Sequence, residues 1–306
     1  MAETQLPFDV AWSQLGPLEE INKGANGRIH RLKDRPAVVF KEFNTAVPAA
    51  PLRQLIQIRR QAKRGEDIKG MTAWPTRVVF DDRPGAPGAA NQAIGVLMPL
   101  IPPGFMQKID LPDGSATVKP RDIQHLLFAA DVARRRGVDV PADHDVRSRM
   151  LICERLSFIV AALHYENLVY GDLSVRNILY QTDPRPDVYL VDCDAARPNG
   201  ATGGVRQQNT PDWDPPEHDD DSGGLRHQSL ETDRYKLGLF ILRCLAPGRG
   251  GASNRDVDAS VGMLDPEGAG LLRSALEGGP ADRPTAGTWT RYWRQHLRLG
   301  PLPPAR

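Results

Sequence analysis

The spacing of apolar residues changes near residue 101, and that change limits the folds open to this chain. Up to that point they fall in short runs broken by Gly, Pro, Asn and Asp. Beyond it they recur every three or four positions. Short bounded runs read as strands, and the longer spacing reads as one buried face of a helix. "LEEINKGANGRIHRL" (18–32) sets apolar positions on either side of a Gly/Asn turn, the pattern of a hairpin, and "AVVFKEF" (37–43) is a third run. In 48–65, Leu52, Leu55 and Ile56 carry helical spacing on an otherwise cationic segment. "TRVVFDD" (76–82) and "AIGVLMPLI" (93–101) read as two more strands around a Gly/Pro loop. After "PPG" (102–104) the pattern turns helical, most clearly over 144–164. Two strand-like runs follow, "NILY" (177–180) and "DVYLVD" (187–192), then a polar segment from about 195 to 230 and an apolar helix over 232–246. Strands first and helices second predict an α+β chain with a small β-rich part, 1–100, and a larger α-helical part, 101–306.

The bulk numbers set outer limits. A formal net charge of +1 argues against a nucleic-acid or membrane surface driven by overall charge. No run approaches the roughly 18 apolar residues of a membrane span. "MAETQLPFDVAW" has acids and no long apolar core, so it does not read as a signal peptide. Cys153, Cys193 and Cys244 lie far apart with no CxxC pair, which suits a reducing, cytoplasmic setting.

Four stretches could carry chemistry. Asn22, Gly24 and Gly27 sit on the first hairpin, where glycines let the backbone approach a phosphate; an ordinary hairpin turn is the alternative. Lys41 lies in an apolar run and needs an anionic partner if buried, unless its stem packs while its ammonium reaches solvent. "LVYGDLSVRNILY" (168–180) holds Asp172 and Asn177 one tight loop apart. A carboxylate there can accept a proton from a substrate hydroxyl, although Asp and Asn are also common turn formers. An amide oxygen and a second carboxylate can hold a hard cation such as Mg²⁺. Asp192, ending "VYLVD", is the candidate second carboxylate, with Asp194 as the backup, although Asp194 is expected instead to face solvent or cap a turn.

Taken in order, these parts resemble the eukaryotic-type (Hanks-type) protein kinases over about residues 15–290. Asn22-x-Gly24-x-x-Gly27-x-Ile29 stands for the Gly-rich loop, and Lys41 in "VVFK" for the strand lysine. "MPLI" (98–101) stands for the hinge, bringing Met98 and Leu100 to the nucleotide. "YGDLSVRN" stands for HRDLxxxxN, which makes Asp172 the base and Asn177 a metal ligand; "DCD" stands for DFG, which makes Asp192 the main metal ligand. "NTPDWDPPE" (209–217) matches the end of an activation segment through Thr210, Pro211, Pro216 and Glu217, with Trp213 for the usual tyrosine. "DRYKLG" (233–238) resembles the buried helix beneath the catalytic loop, and "DRPT" (282–285) supplies Arg283, the family's partner for Glu217. The resemblance implies a bilobal fold, ATP, Mg²⁺ (or Mn²⁺) and a Ser/Thr protein substrate. "MTAWP", "AIGVLMPLI" and "GDLSVRNIL" are similar to a bacterial group linked to helix-hairpin-helix domains and to phosphatase or von Willebrand-type partners.

The departures are specific. "LRQLIQIRRQ" has no glutamate for Lys41, which leaves Gln54, Gln57 or Gln61 as neutral stand-ins. Gly171 replaces the arginine of HRD, and Cys193 replaces the phenylalanine of DFG, thinning an apolar stack. Ser174 replaces the lysine two residues after the base; Arg176 can cover the transferred phosphate instead, with a surface ion pair as the alternative reading. Two other readings follow from the departures and the loop: a pseudokinase that binds nucleotide as a scaffold or signalling partner, and a small-molecule phosphotransferase of the aminoglycoside or choline type. Thr202, Thr210 and Ser222 are candidate phosphorylation sites, "DDDSGGLRHQ" (219–228) reads as a solvated loop, and "PLPPAR" (301–306) as a tail.

Overall fold

The computed structural model describes residues 8–24, 27–83, 91–110, 113–201, 210–218, 228–248, 253–260 and 262–300. Its first part is a sheet with two short helices. Strands β1 (Asp9–Ala11), β2 (Leu18–Gly24), β3 (Gly27–Leu32) and β4 (Val38–Pro48) lead into α1 (Ala49–Gln61) and α2 (Gly65–Met71). Strands β5 (Arg77–Phe80) and β6 (Gln92–Pro99) complete a six-stranded sheet of order β1-β5-β6-β4-β3-β2. All its pairings are antiparallel except β1 with β5. β1 was not legible in the sequence: three residues are too few to show a period, and it exists by pairing with β5.

Strands β3 and β4, which carry Gly27, Ile29 and Lys41, are paired on both sides, whereas β2, with Asn22 and Gly24, lies at the sheet edge. Lys41 lies in mid-β4, opposite Ile29 on β3 and Val96 on β6. β4 and β6 approach closely at Gly95, where a Cβ would meet the Lys41 carbonyl oxygen at 2.1 Å. Helix α1 turns Leu52, Leu55 and Ile56 inward, each contributing about 2 kcal/mol through burial. Leu52 and Ile56 share an apolar cluster with Val39, Val78, Val96 and Met98.

The second part opens with a hairpin where the sequence pattern predicts helix. Strands β7 (Met106–Asp110) and β8 (Ala116–Pro120) pair antiparallel across an Asp-Gly turn, with Gly114 at φ +82° and the Asp113 carboxylate accepting from the Ser115 N–H at 2.9 Å. The turn chemistry of Asp113-Gly114 outweighs the loose apolar spacing around it. Helices α3 (Ala130–Arg135) and α4 (Val146–Tyr165) follow, then β9 (Leu168–Val169), β10 (Ile178–Gln181), β11 (Asp187–Leu190) and β12 (Arg197–Pro198). Helices α5 (Leu230–Leu245), α6 (Pro266–Glu277) and α7 (Ala286–His296) close the chain. Asp145 caps α4, and Ser229 with Thr232 forms a capping box on α5.

α4 and α5 form the centre of one large apolar core with Trp213, Trp289 and Trp293. Buried Arg149 pins three separate segments of backbone, donating to the carbonyls of Leu126, Pro141 and Cys244 at 2.8–3.0 Å. The fold is therefore mixed α and β, as the order of patterns predicts. Among the described residues no helix is long and apolar enough to cross a membrane.

Candidate active site

The β10–β11 hairpin brings two of the predicted residues to one end. Ile178 pairs with Leu190, and the Val191 N–H donates to the Asn177 carbonyl at 3.0 Å, so Asn177 and Asp192 emerge side by side. The loop before β10 is held from beneath by α5. Asp233, fully buried, accepts the N–H groups of Tyr170 at 2.8 Å and Gly171 at 2.9 Å. Lys236, one helical turn on, donates to the Gly171 carbonyl at 2.6 Å and to Gln228 Oε1 at 2.9 Å. Gly171 itself has φ +85°, which an arginine would adopt only under strain.

That loop presents Asp172. Its Oδ2 accepts from Asn177 Nδ2 at 2.6 Å and its Oδ1 from the Thr210 hydroxyl at 3.2 Å. Burial raises its pKa, against the opposing pull of Lys236, Thr210 and Asn177. Asn177 thus spends its amide group on Asp172, which leaves its carbonyl oxygen for another partner.

Lys41 reaches the same place from the sheet. Its ammonium, only 4 % exposed, donates to Asp192 Oδ1 at 3.0 Å and to Asp194 Oδ1 at 2.7 Å. Burial opposes the charge on Lys41, but Asp194 and then Asp192 outweigh it and raise the pKa. Two expectations are corrected here. Asp194 does not face solvent: it is 1 % exposed and bonded to Lys41. Gln54, Gln57 and Gln61 are exposed on α1 and do not take the missing glutamate's place; the inward face of that helix is apolar. Asp192 takes a left-handed backbone, φ 54°, at the start of a tight turn, Cys193–Ala195, and this turn swings Asp194 inward. Cys193 is buried in the large core, its thiol facing the carbonyls of Leu190 and Val191.

An apolar wall adjoins these charges. Ile29, Met98 and Leu100 belong to one cluster, joined from the second part by Leu179 and Tyr189. Leu179 is a residue that sequence reasoning missed. The signal was the alternation in "NILY": Leu179 points to the opposite face of β10 from Ile178 and Tyr180, which enter the large core. Gly24 and Gly27 pair across β2–β3, and a Cβ on Gly27 would meet the Glu42 carbonyl oxygen at 2.0 Å. Gly27 is thus required by close strand approach whatever it does for a ligand. Asn22 is exposed, its Oδ1 accepting from the Lys23 N–H at 2.9 Å; Ala25 and Asn26, the hairpin tip, lie outside the described residues. Arg176 is exposed; burial raises the Asp122 pKa, and the Arg176 charge is among the smaller effects that pull it down.

The segment after the site is tied into the helical core. Trp213 is buried under the Arg243 guanidinium, 4.8 Å from the ring centre, and Arg243 also bonds the Asp212 carbonyl at 2.8 Å. Arg283 grips both oxygens of Glu217 at 2.7 Å. No known family model matches this chain, and no curated protein matches it. Thr202, Ser222, the acidic run from 219 and the 301–306 tail lie outside the described residues.

The chemistry open to this arrangement is narrow. Asp192 Oδ2 and Asn177 Oδ1 are hard oxygen donors free of the bonds just described, the type Mg²⁺ prefers. No group of three or more His, Cys, Asp or Glu gathers for a metal among the described residues. Two protein oxygens with the rest supplied by phosphates and water match how Mg²⁺ is commonly held. Beside them stand one cation, Lys41, and one carboxylate of raised pKa, Asp172.

Proposed function

We propose that this protein is an ATP- and Mg²⁺-dependent protein kinase that transfers the γ-phosphoryl group of ATP to Ser or Thr hydroxyls, on a bilobal kinase fold. The observation that carries the reading is convergence. Lys41 and Asp192, 151 residues apart in sequence, meet at 3.0 Å, and the same hairpin end supports Asn177 bonded to Asp172 at 2.6 Å. A phosphate-facing cation, two oxygen ligands and a proton acceptor beside an apolar wall suffice for phosphoryl transfer, where the protein's part is position and electrostatics. Ile29, Met98, Leu100 and Leu179 would take the adenine, and the Gly24–Gly27 hairpin would cover the phosphates. Asn177 and Asp192 would hold the Mg²⁺, which neutralises phosphate charge when bound. Lys41 would orient the phosphates. Asp172 would align the substrate hydroxyl and accept its proton as the Oγ–P bond forms and the γ-phosphorus separates from ADP.

The Glu217–Arg283 clamp and the buried Trp213 support a protein substrate over a small one, because they brace a segment that can form a peptide-binding ledge. The partners implied by the resemblance, phosphatase or von Willebrand-type proteins, belong to this same proposal. One observation favours a second reading, a nucleotide-binding pseudokinase: Asn177 and Thr210 already occupy the two oxygens of Asp172.

Incubation with labelled ATP and Mg²⁺ or Mn²⁺, beside Asp172→Asn and Asp192→Asn, decides between them. Transfer to Ser or Thr that both variants lose supports the kinase. Tight MgATP binding without transfer to any substrate in a broad protein array supports the pseudokinase.

A further inference from the structure

Most of the buried charge in this site is explained by the roles above, but Asp194 is not. It stands two residues past Asp192, its Oδ1 2.7 Å from Lys41, and its Oδ2 is buried with no hydrogen-bond partner among the described residues. A buried carboxylate with one oxygen unsatisfied is costly. It persists here because Lys41 lies against it, and the lysine in turn has no acid to meet on α1, whose inward residues are Leu52, Leu55 and Ile56.

We propose that Asp194 is the positioning residue for Lys41, doing from the turn after Asp192 what a helix acid would otherwise do, so that the lysine is set without any contribution from α1. The geometry favours Asp194 over Asp192 for this task. Asp192 is 42 % exposed and has a ligand of its own to bind, so it must share its carboxylate; Asp194 is closed off from solvent, and Lys41 is its one ion-pair partner among the described residues. A lysine anchored this way stays in place however α1 moves. Control of the site then passes to the turn Cys193–Ala195, which carries Asp192 and Asp194 together. Displacing that one turn would withdraw the lysine's anchor and the metal ligand at once.

The proposal rests on the kinase reading for its consequence in catalysis, but not for the Lys41–Asp194 link, and the experiment separates the two. Full-length Lys41→Met, Asp194→Asn, Asp194→Glu, the pair Lys41→Met/Asp194→Asn, and a triple Gln54→Ala/Gln57→Ala/Gln61→Ala variant are compared by thermal melting, MgATP titration and phosphoryl-transfer kinetics. The expected stability result is non-additive: each single loss of charge lowers the melting temperature, and the double variant melts no lower than the worse single one. The expected kinetic result is a tenfold or greater fall in kcat for Asp194→Asn, partial recovery in Asp194→Glu, and a triple glutamine variant within twofold of wild type. Additive melting shifts would overturn the anchor, as would a triple variant that loses activity while Asp194→Asn keeps it. If the wild-type protein transfers no phosphate, the kinase reading fails, and the melting cycle still decides whether Asp194 holds Lys41.

Discussion

Arg283 meets Glu217 through two parallel bonds of 2.7 Å, joining the loop just before α7 to a segment 66 residues earlier. Arg283 is almost wholly buried, whereas the Glu217 side chain keeps a third of its surface in solvent. Bidentate geometry makes this pair stronger than an ordinary surface ion pair.

Glu217→Ala is expected to destabilise the protein by about 3 kcal/mol, the low end for breaking a buried pair, because Arg283 loses its counter-ion and Glu217 is not fully enclosed. Burial alone would raise the Glu217 pKa, but Arg283 overrides it and the pKa is lowered. A depressed carboxylate stabilises the fold above its unfolded pKa and loses that contribution as pH falls through the folded one. The stability gap between wild type and Glu217→Gln, read by urea denaturation, should therefore close in acid.

Asp172 carries the opposite sign. Its folded pKa is raised, chiefly by burial, so the unfolded state releases this proton first and stability falls as pH rises through the interval. Asp172→Asn is expected to raise the melting temperature at neutral pH while reducing transfer by at least a hundredfold. In the wild type, the acid limb of kcat/KM should lie above the ordinary aspartate range. An acid limb at or below that range would remove Asp172 as the base.

Lys236 is expected to tune that limb. It is buried against the Gly171 carbonyl and lowers the pKa of the neighbouring Asp172. Lys236→Met should move the acid limb to higher pH and lower kcat, whereas a purely structural role would lower stability and leave the limb in place. The pH–rate profile separates the two.

Asp233→Asn should loosen the catalytic loop without touching ATP. Its carboxylate accepts two backbone N–H groups, and bonds to a charged acceptor contribute about 1.5–3 kcal/mol each. The asparagine retains one acceptor, so a loss of about 2 kcal/mol is expected. Hydrogen exchange should show the Tyr170 and Gly171 amides losing protection first.

The strand runs at 37–43, 76–82 and 93–101 and the long helix over 144–164 were legible because local period records which face is buried. The hairpin at 18–32 was legible instead from its Gly/Asn turn, since β2 buries almost nothing. These runs fall in β2–β6 and α4. The lysine, the two aspartates and the asparagine were legible as candidates because charged or amide groups inside apolar runs are costly without a task. What the sequence could not say was who meets whom. Nothing in "DCD" shows that Asp192 takes a left-handed backbone and turns Asp194 inward, since a local turn is chosen by what surrounds it. The sequence points to the next helix for the partner of Lys41, where glutamines are the candidate acceptors; tertiary packing supplies it from a turn 153 residues away. The same holds for Lys236, which reads as one polar position in a helix and becomes a buried cation beneath Asp172 only when α5 docks under the loop. Periodicity is a local property and survives in the sequence. Pairing of buried charges is decided by which elements close on each other, and that belongs to the tertiary structure alone.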